Sequence, residues 1–218
     1  MLVNQLQARL AGLYETPVAH TIADFLVTDS RLAQALGEDD EADANEERLL
    51  VRESGDTLDV TLYIDARVLA HLSERDPFAR LDGENLNDFL IALEGVSHFN
   101  YLVWNAMHAR PVTQLELELQ AEVDKFVTVS GLLRVQGADA SHEALLERLF
   151  NAVRFLDQDD HASGKRYRDA NRYAARFCRA LARRHPSQQG QPAFLNELRR
   201  FYRLSQNDKI RTIERMAH

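Results

Sequence analysis

The sequence predicts an α+β fold: an antiparallel sheet of about four strands flanked by helices, with an all-helical C-terminal third. Three observations predict it. Leu49-Leu50-Val51 and the alternating Leu58, Val60, Leu62 and Ile64 flank Glu53-Ser54-Gly55-Asp56, the pattern of a hairpin with one buried face. Residues 98–104 are rich in strand formers, and Thr113 to Leu119 alternates after the turn-like Ala109-Arg110-Pro111, which reads as a second hairpin. From Ser141 onward, apolar side chains recur at helical spacing.

Taken in order, Leu6, Leu10 and Leu13 place a helix over 3–14. Val18, Ile22, Phe25 and Leu26 place another over 17–27, with Pro17 at its first turn. Asp29-Ser30 caps a short third helix that Gly37 ends. The acidic run Glu38 to Glu47 reads as a solvated loop before the first hairpin. Asp65 then caps a helix containing Val68, Leu69 and Leu72. Leu86, Phe89, Leu90 and Leu93 share one face of a helix over 85–94, with Gly95 as a left-handed stop.

Residues 98–119 fit two patterns. Besides the strand pair, Val112, Leu115, Leu119, Val123, Phe126 and Val127 fall on one face of a long helix. The expectation taken forward is two strands with a helix from about Ala121. Ser141 caps a helix over 142–156 with a stripe of Leu145, Leu146, Leu149, Val153 and Leu156, and Asp157 to Asp160 is a polar connection. A long helix over 165–185, a loop from Pro186 to Pro192 and one or two further helices finish the chain. The expected organisation is a core domain over 1–160 and a basic helical extension over 161–218 packed on it.

Composition narrows the class. With 45% hydrophobic and 28% charged residues and a single cysteine, the chain is neither collagen-like, wholly disordered nor stapled by disulfides. The start of the chain lacks the pattern of a secretion signal, and no run approaches the roughly 18 apolar residues of a membrane span. The expectation is a soluble, cytoplasmic protein. Its net charge of −8 is divided unevenly: residues 163–218 hold 14 Lys/Arg and 4 Asp/Glu, a balance of +10. Residues 1–162 hold 12 and 30, a balance of −18.

The basic part carries the sharpest pattern. At about 100° per residue, Arg168, Arg172, Arg176, Arg179 and Arg183 share an arc of about 80° on one helix. Tyr167, Ala170, Ala174, Phe177, Cys178 and Leu181 occupy the other side. Like charges four apart repel by a few tenths of a kcal/mol each, so one cationic residue type on a whole face calls for an anion. A planar guanidinium suits phosphate or carboxylate. The stripe therefore predicts an anion-binding face, with an acidic protein face, a nucleic acid or a phosphorylated ligand as the partner class. The competing account pairs it with the protein's own carboxylates. Arg199, Arg200, Arg203, Lys209, Arg211 and Arg215, interleaved with Phe201 and Tyr202, would suit single-stranded nucleic acid. Phe194, Leu195, Leu198, Phe201 and Tyr202 also have the spacing of a core face.

Chemistry-bearing motifs are sparse. The sequence has no P-loop, nucleophile elbow, dinucleotide fingerprint or H-E-x-x-H. Glu116-x-Glu118, with Lys125 beyond, is similar to the paired-glutamate strand of triphosphate-tunnel enzymes, whose carboxylates hold a metal against a polyphosphate. Gln120 stands where that pattern has its lysine, and the chain offers about half the strands of a tunnel. Read without the resemblance, these are outward-facing residues of an amphipathic strand. Glu94 with His98, and Asp157, Asp159 and His161, have ligand-like spacing but no third or fourth partner, so no metal site and no cofactor is assigned. His98, Asn100 and His108 sit among apolar neighbours, so some of them are expected to be buried and hydrogen-bonded, and Cys178 is expected to be an inert core thiol. The function expected is a non-catalytic interaction or regulatory protein using the arginine stripe. The alternative is a metal-dependent enzyme acting on a phosphorylated small molecule through Glu116, Glu118 and a nearby histidine.

Overall fold

Residues 98–107 and 114–119 belong to two helices, which overturns the four-stranded antiparallel sheet. The computed structural model describes residues 1–37, 45–55, 57–138, 141–151, 162–186 and 191–216. It is mostly helical with one small mixed sheet. Helix α1 spans Leu2–Tyr14, β1 Leu26–Val27, α2 Ser30–Leu36, β2 Glu47–Ser54, β3 Thr57–Ile64 and α3 Ala66–Glu74. Then come α4 (Leu86–Met107), α5 (Gln114–Val135), α6 (His142–Leu146) with a π-helical turn Glu147–Asn151, α7 (Ala162–Arg184), α8 (Pro192–Tyr202) and α9 (Gln206–Arg215). The remainder of the expected 142–156 helix and the Asp157 to Asp160 connection lie outside the described residues.

The first hairpin forms as expected. Ser54 pairs with Thr57, and Gly55 after Ser54 takes φ +60°. The third strand comes from an unexpected place. The helix expected over 17–27 does not form; only Ile22–Phe25 makes a 3₁₀ turn, and Leu26–Val27 pairs parallel with β3. Gln7 is the reason. Its buried amide donates to the His20 carbonyl (2.9 Å) and accepts from the Ile22 N–H (3.1 Å). That satisfies an extended backbone against α1 without helical hydrogen bonds.

The second expected hairpin is α4 and α5. Gly95 does not stop α4. A side chain there would place Cβ 2.8 Å from Glu47 Cγ and 2.9 Å from Leu62 Cδ1, so glycine is present for close approach of β2 and β3. Thr113 opens α5 with a reciprocal capping box to Glu116, and Ala109 supplies the left-handed turn (φ 50°) between the helices. Asp29, Asp65 and Ser141 cap their helices as expected. Gly37 follows α2 but in extended conformation (φ −81°), and it leaves room for Arg48, whose Nη2 would meet a Cβ at 2.8 Å.

Helix α4 packs between the hairpin and α5, and α7 packs on α5. Residues of α1, α3, α4, α5, α7, α8 and α9 share one hydrophobic core with β3. Tyr14 stacks on Tyr202 (4.0 Å between centroids) and Phe177 on Phe201 (3.8 Å), joining α8 to α1 and α7. No helix among the described residues is long and apolar enough to cross a membrane.

Candidate functional site

Glu94 and His98 stand one turn apart on α4, and Glu118, Glu122 and Lys125 face them from α5. Glu47, the first residue of β2, reaches the same place through the gap left by Gly95. Lys125 Nζ donates to Glu94 Oε2 and Glu122 Oε1, both at 2.7 Å. His98 lies between two further carboxylates: Nδ1 is 3.5 Å from Glu47 Oε1, and Nε2 is 3.7 Å from Glu118 Oε2. These three side chains are only 8–11% exposed. Neither His98 Nε2 nor Glu47 Oε1 has a hydrogen-bond partner among the described residues. One ligand-capable atom from each of Glu94, His98 and Glu118 lies within 4.8 Å of the others.

Burial sets the electrostatics. It pushes the Glu118 carboxyl up to about 7, with Glu94 and Glu47 adding to the rise and His98 opposing it. Burial alone would lower His98. The carboxylates of Glu47, Glu118 and Glu94 outweigh it and raise the imidazole to about 9. Burial also raises Glu47, whereas Lys125 and His98 outweigh burial at Glu94 and hold it below its ordinary value. Lys125 stays firmly charged between Glu122 and Glu94 despite its burial.

The cluster opens onto a cavity of about 570 Å³ between β2, α4, α5 and the start of α7. Glu47, His98 and Glu118 line its buried end; Arg48, Arg166 and Tyr167 line its walls. Arg166 Nε is itself buried without a hydrogen-bond partner among the described residues. An unpaired buried donor of this kind costs about 1–3 kcal/mol in a folded chain, so it calls for a partner beyond the described residues.

The paired glutamates of the expected strand separate. Two residues apart on a strand would put them on one face; on a helix they point about 200° apart. Glu118 enters the cavity, while Glu116 closes the capping box and accepts from Tyr101 Oη at 3.3 Å. Glu116 is thereby removed from the candidate catalytic set, and the likeness to a tunnel strand ends with it. The Glu94–His98 spacing gains its third partner from α5. Asp157, Asp159 and His161 lie outside the described residues.

The five stripe arginines do not line the cavity. Arg168, Arg172, Arg176 and Arg183 are exposed and Arg179 is half-buried. Arg172 pairs with Asp169 (2.9 Å), one turn back on the same helix, and Arg179 donates to Asn151 Oδ1 (3.0 Å). Arg176 and Arg183 have no hydrogen bond or ion pair among the described residues. Of the basic residues further along, Arg199, Arg203 and Lys209 serve the fold, while Arg200, Arg211 and Arg215 are exposed. Arg199 Nε and Arg203 Nη2 donate to the Leu13 and Tyr14 carbonyls at the end of α1 (2.9 and 2.8 Å), and Lys209 is fully buried. Phe194, Leu198, Phe201 and Tyr202 are core, and Cys178 is a buried thiol pushed well up by that burial.

Glu47, Arg48 and Arg166 escaped the sequence reading. Arg166 carried a signal: at about 160° on the same wheel it stands apart from the stripe, at the border of the apolar face. Glu47 and Arg48 carried none, since nothing local shows that the start of β2 meets α4. No family model, curated protein or solved structure matches the chain.

Proposed function

We propose that the chain binds a small phosphorylated molecule in the β2–α4–α5–α7 cavity and acts on it with the groups at the buried end. What carries the reading is Arg166, whose buried Nε lacks a partner among the described residues and lies on the wall of a cavity the size of a metabolite site. Arg48 approaches from another element, and two guanidinium forks from separate directions fit a group with several oxygens better than a flat carboxylate. Glu47, His98 and Glu118 at the buried end are the groups that a bound molecule would meet. This is the enzyme alternative of the sequence reading, with Arg48 and Arg166 in place of the stripe and Glu118 with His98 in place of Glu116.

The stripe supports a second and separate reading, an exposed face that docks a macromolecular anion, because Arg176 and Arg183 have no partner among the described residues. One experiment addresses both. Melting temperature is measured against orthophosphate, phosphate monoesters, nucleotides and duplex DNA at two salt concentrations. The chains compared are the wild type, Arg166→Gln, and Arg172→Gln/Arg176→Gln/Arg179→Gln. Small phosphates should raise the wild type by several degrees and leave Arg166→Gln unmoved. Equal responses from both chains, or none from any small phosphate, would reject the cavity reading. Salt-sensitive stabilisation by DNA that only the triple variant loses would establish the stripe.

A further inference from the structure

The geometry points to a divalent first-row transition-metal ion held at the buried end of the cavity by Glu94, His98 and Glu118. This rests on the cavity as a ligand site and assigns it a cofactor.

Three observations converge. The first is His98. Its side chain is 8% exposed and its Nε2 has no hydrogen-bond partner among the described residues, yet it lies 3.7 Å from Glu118 Oε2. That separation is too long for a hydrogen bond. It does suit two bonds of about 2.1 Å to one ion between them, at an angle of about 120°. The Glu94 carboxylate completes a triangle with sides no longer than 4.8 Å, which a few tenths of an ångström of side-chain movement brings to coordination distance.

The second is the other face of the ring. A metal-bound histidine ordinarily donates its remaining N–H to a carboxylate, which fixes the tautomer. Glu47 Oε1, buried and otherwise without a donor, lies 3.5 Å from His98 Nδ1 in that position. Lys125 performs the matching task for Glu94: it holds one carboxylate oxygen at 2.7 Å and is itself tied to Glu122.

The third is charge. Glu47, Glu94, Glu118 and Glu122 bring four carboxylates to the cluster, against the two fixed cations Lys125 and Arg166. With His98 neutral, as a metal ligand must be, two negative charges remain, which a divalent ion balances; without the ion a protonated His98 offsets one of them. Without it the buried end has the wrong sign for the phosphate that Arg48 and Arg166 would hold. With it, the ion becomes the largest local charge and draws the phosphate oxygens inward. One imidazole with two carboxylates is a mixed set that favours Mn²⁺, Fe²⁺, Co²⁺ or Zn²⁺ over the all-oxygen shells of Ca²⁺ and Mg²⁺.

The test uses the full chain stripped with chelator, Mn²⁺ as the probe, and orthophosphate added separately. Titration calorimetry should give one Mn²⁺ per chain, weakened at least about tenfold in His98→Gln and Glu118→Gln. Bound Mn²⁺ should show nitrogen hyperfine coupling in its electron-spin-echo spectrum, a readout that needs no variant to fold. No stoichiometric Mn²⁺ binding, or bound Mn²⁺ without nitrogen coupling, would overturn the inference. Orthophosphate binding that is equal with and without Mn²⁺ would overturn the ion's part in drawing in the phosphate while leaving the cavity reading intact. Nitrogen-coupled Mn²⁺ with no phosphate response would uphold the metal and reject the phosphate.

Discussion

Two polar clusters lie buried against the same pair of helices, and only one of them is closed. Towards α1 and α9, Asp124 accepts from Ser97 Oγ (2.6 Å), Gln120 Nε2 (2.9 Å) and the Tyr14 hydroxyl. Gln120 Oε1 accepts from Lys209 Nζ at 2.7 Å, and the ammonium also faces the rings of Tyr101 and Phe201. All these donors and acceptors have partners, and the cluster lines no described cavity. Towards β2 and α7, Glu47 and His98 present unmatched atoms to an open cavity. A closed buried network ties elements together and specifies their packing. An open one lowers stability in the free protein and persists where a ligand completes it. The difference marks the first cluster as part of the fold and leaves the second as the proposed site.

The closed cluster should be the more costly to break. Asp124→Ala takes the acceptor from the Ser97 and Tyr14 hydroxyls and one of the two acceptors from Gln120 Nε2, and urea denaturation should show a loss of about 2–4 kcal/mol. A loss below about 1 kcal/mol would mean that water replaces the carboxylate and that the network is not what joins α1 to α5.

Lys209 gives the next effect, through pH. Burial lowers its pKa to about 7, with Glu116 and Asp124 opposing and Arg110 adding to the fall. The unfolded chain then binds more protons between about pH 7 and the ordinary lysine value near 10.4, so stability rises with pH across that window. The slope contributed is at most about 1.4 kcal/mol per pH unit. Lys209→Met should flatten this part of the profile relative to the wild type. Parallel profiles would show that the ammonium stays charged over the Tyr101 ring.

The same clusters explain what the sequence made legible. The hairpin, the caps at Asp29, Asp65 and Ser141, and the apolar side of α7 were readable, because each follows from local spacing and from surfaces that are apolar inside and polar outside. Helices α4 and α5 were not. They bury Ser97, His98, Asn105, Glu116, Glu118, Gln120 and Asp124, so their interior faces are partly polar and the 3.6-residue stripe is interrupted. What survives is the local alternation of Leu115, Leu117 and Leu119, which imitates a strand. Polar burial thus hid the fold at the positions that build both clusters. The site was half legible: Glu94, His98 and Glu118 were each singled out, but as two unrelated pairs. Their convergence depends on α4 and α5 being neighbours, and Glu47 joins only because Gly95 admits it.

The most direct test of the contrast is the stability of Glu118→Gln in chelator and in Mn²⁺ at pH 8. The account predicts that the variant exceeds the wild type by about 1–2 kcal/mol in chelator, since it removes a buried charge without a hydrogen-bonded cation. In Mn²⁺ the order should reverse, because only the wild type gains from the ion. A variant less stable than the wild type in chelator would place Glu118 among the groups that hold the fold together, and would contradict the account.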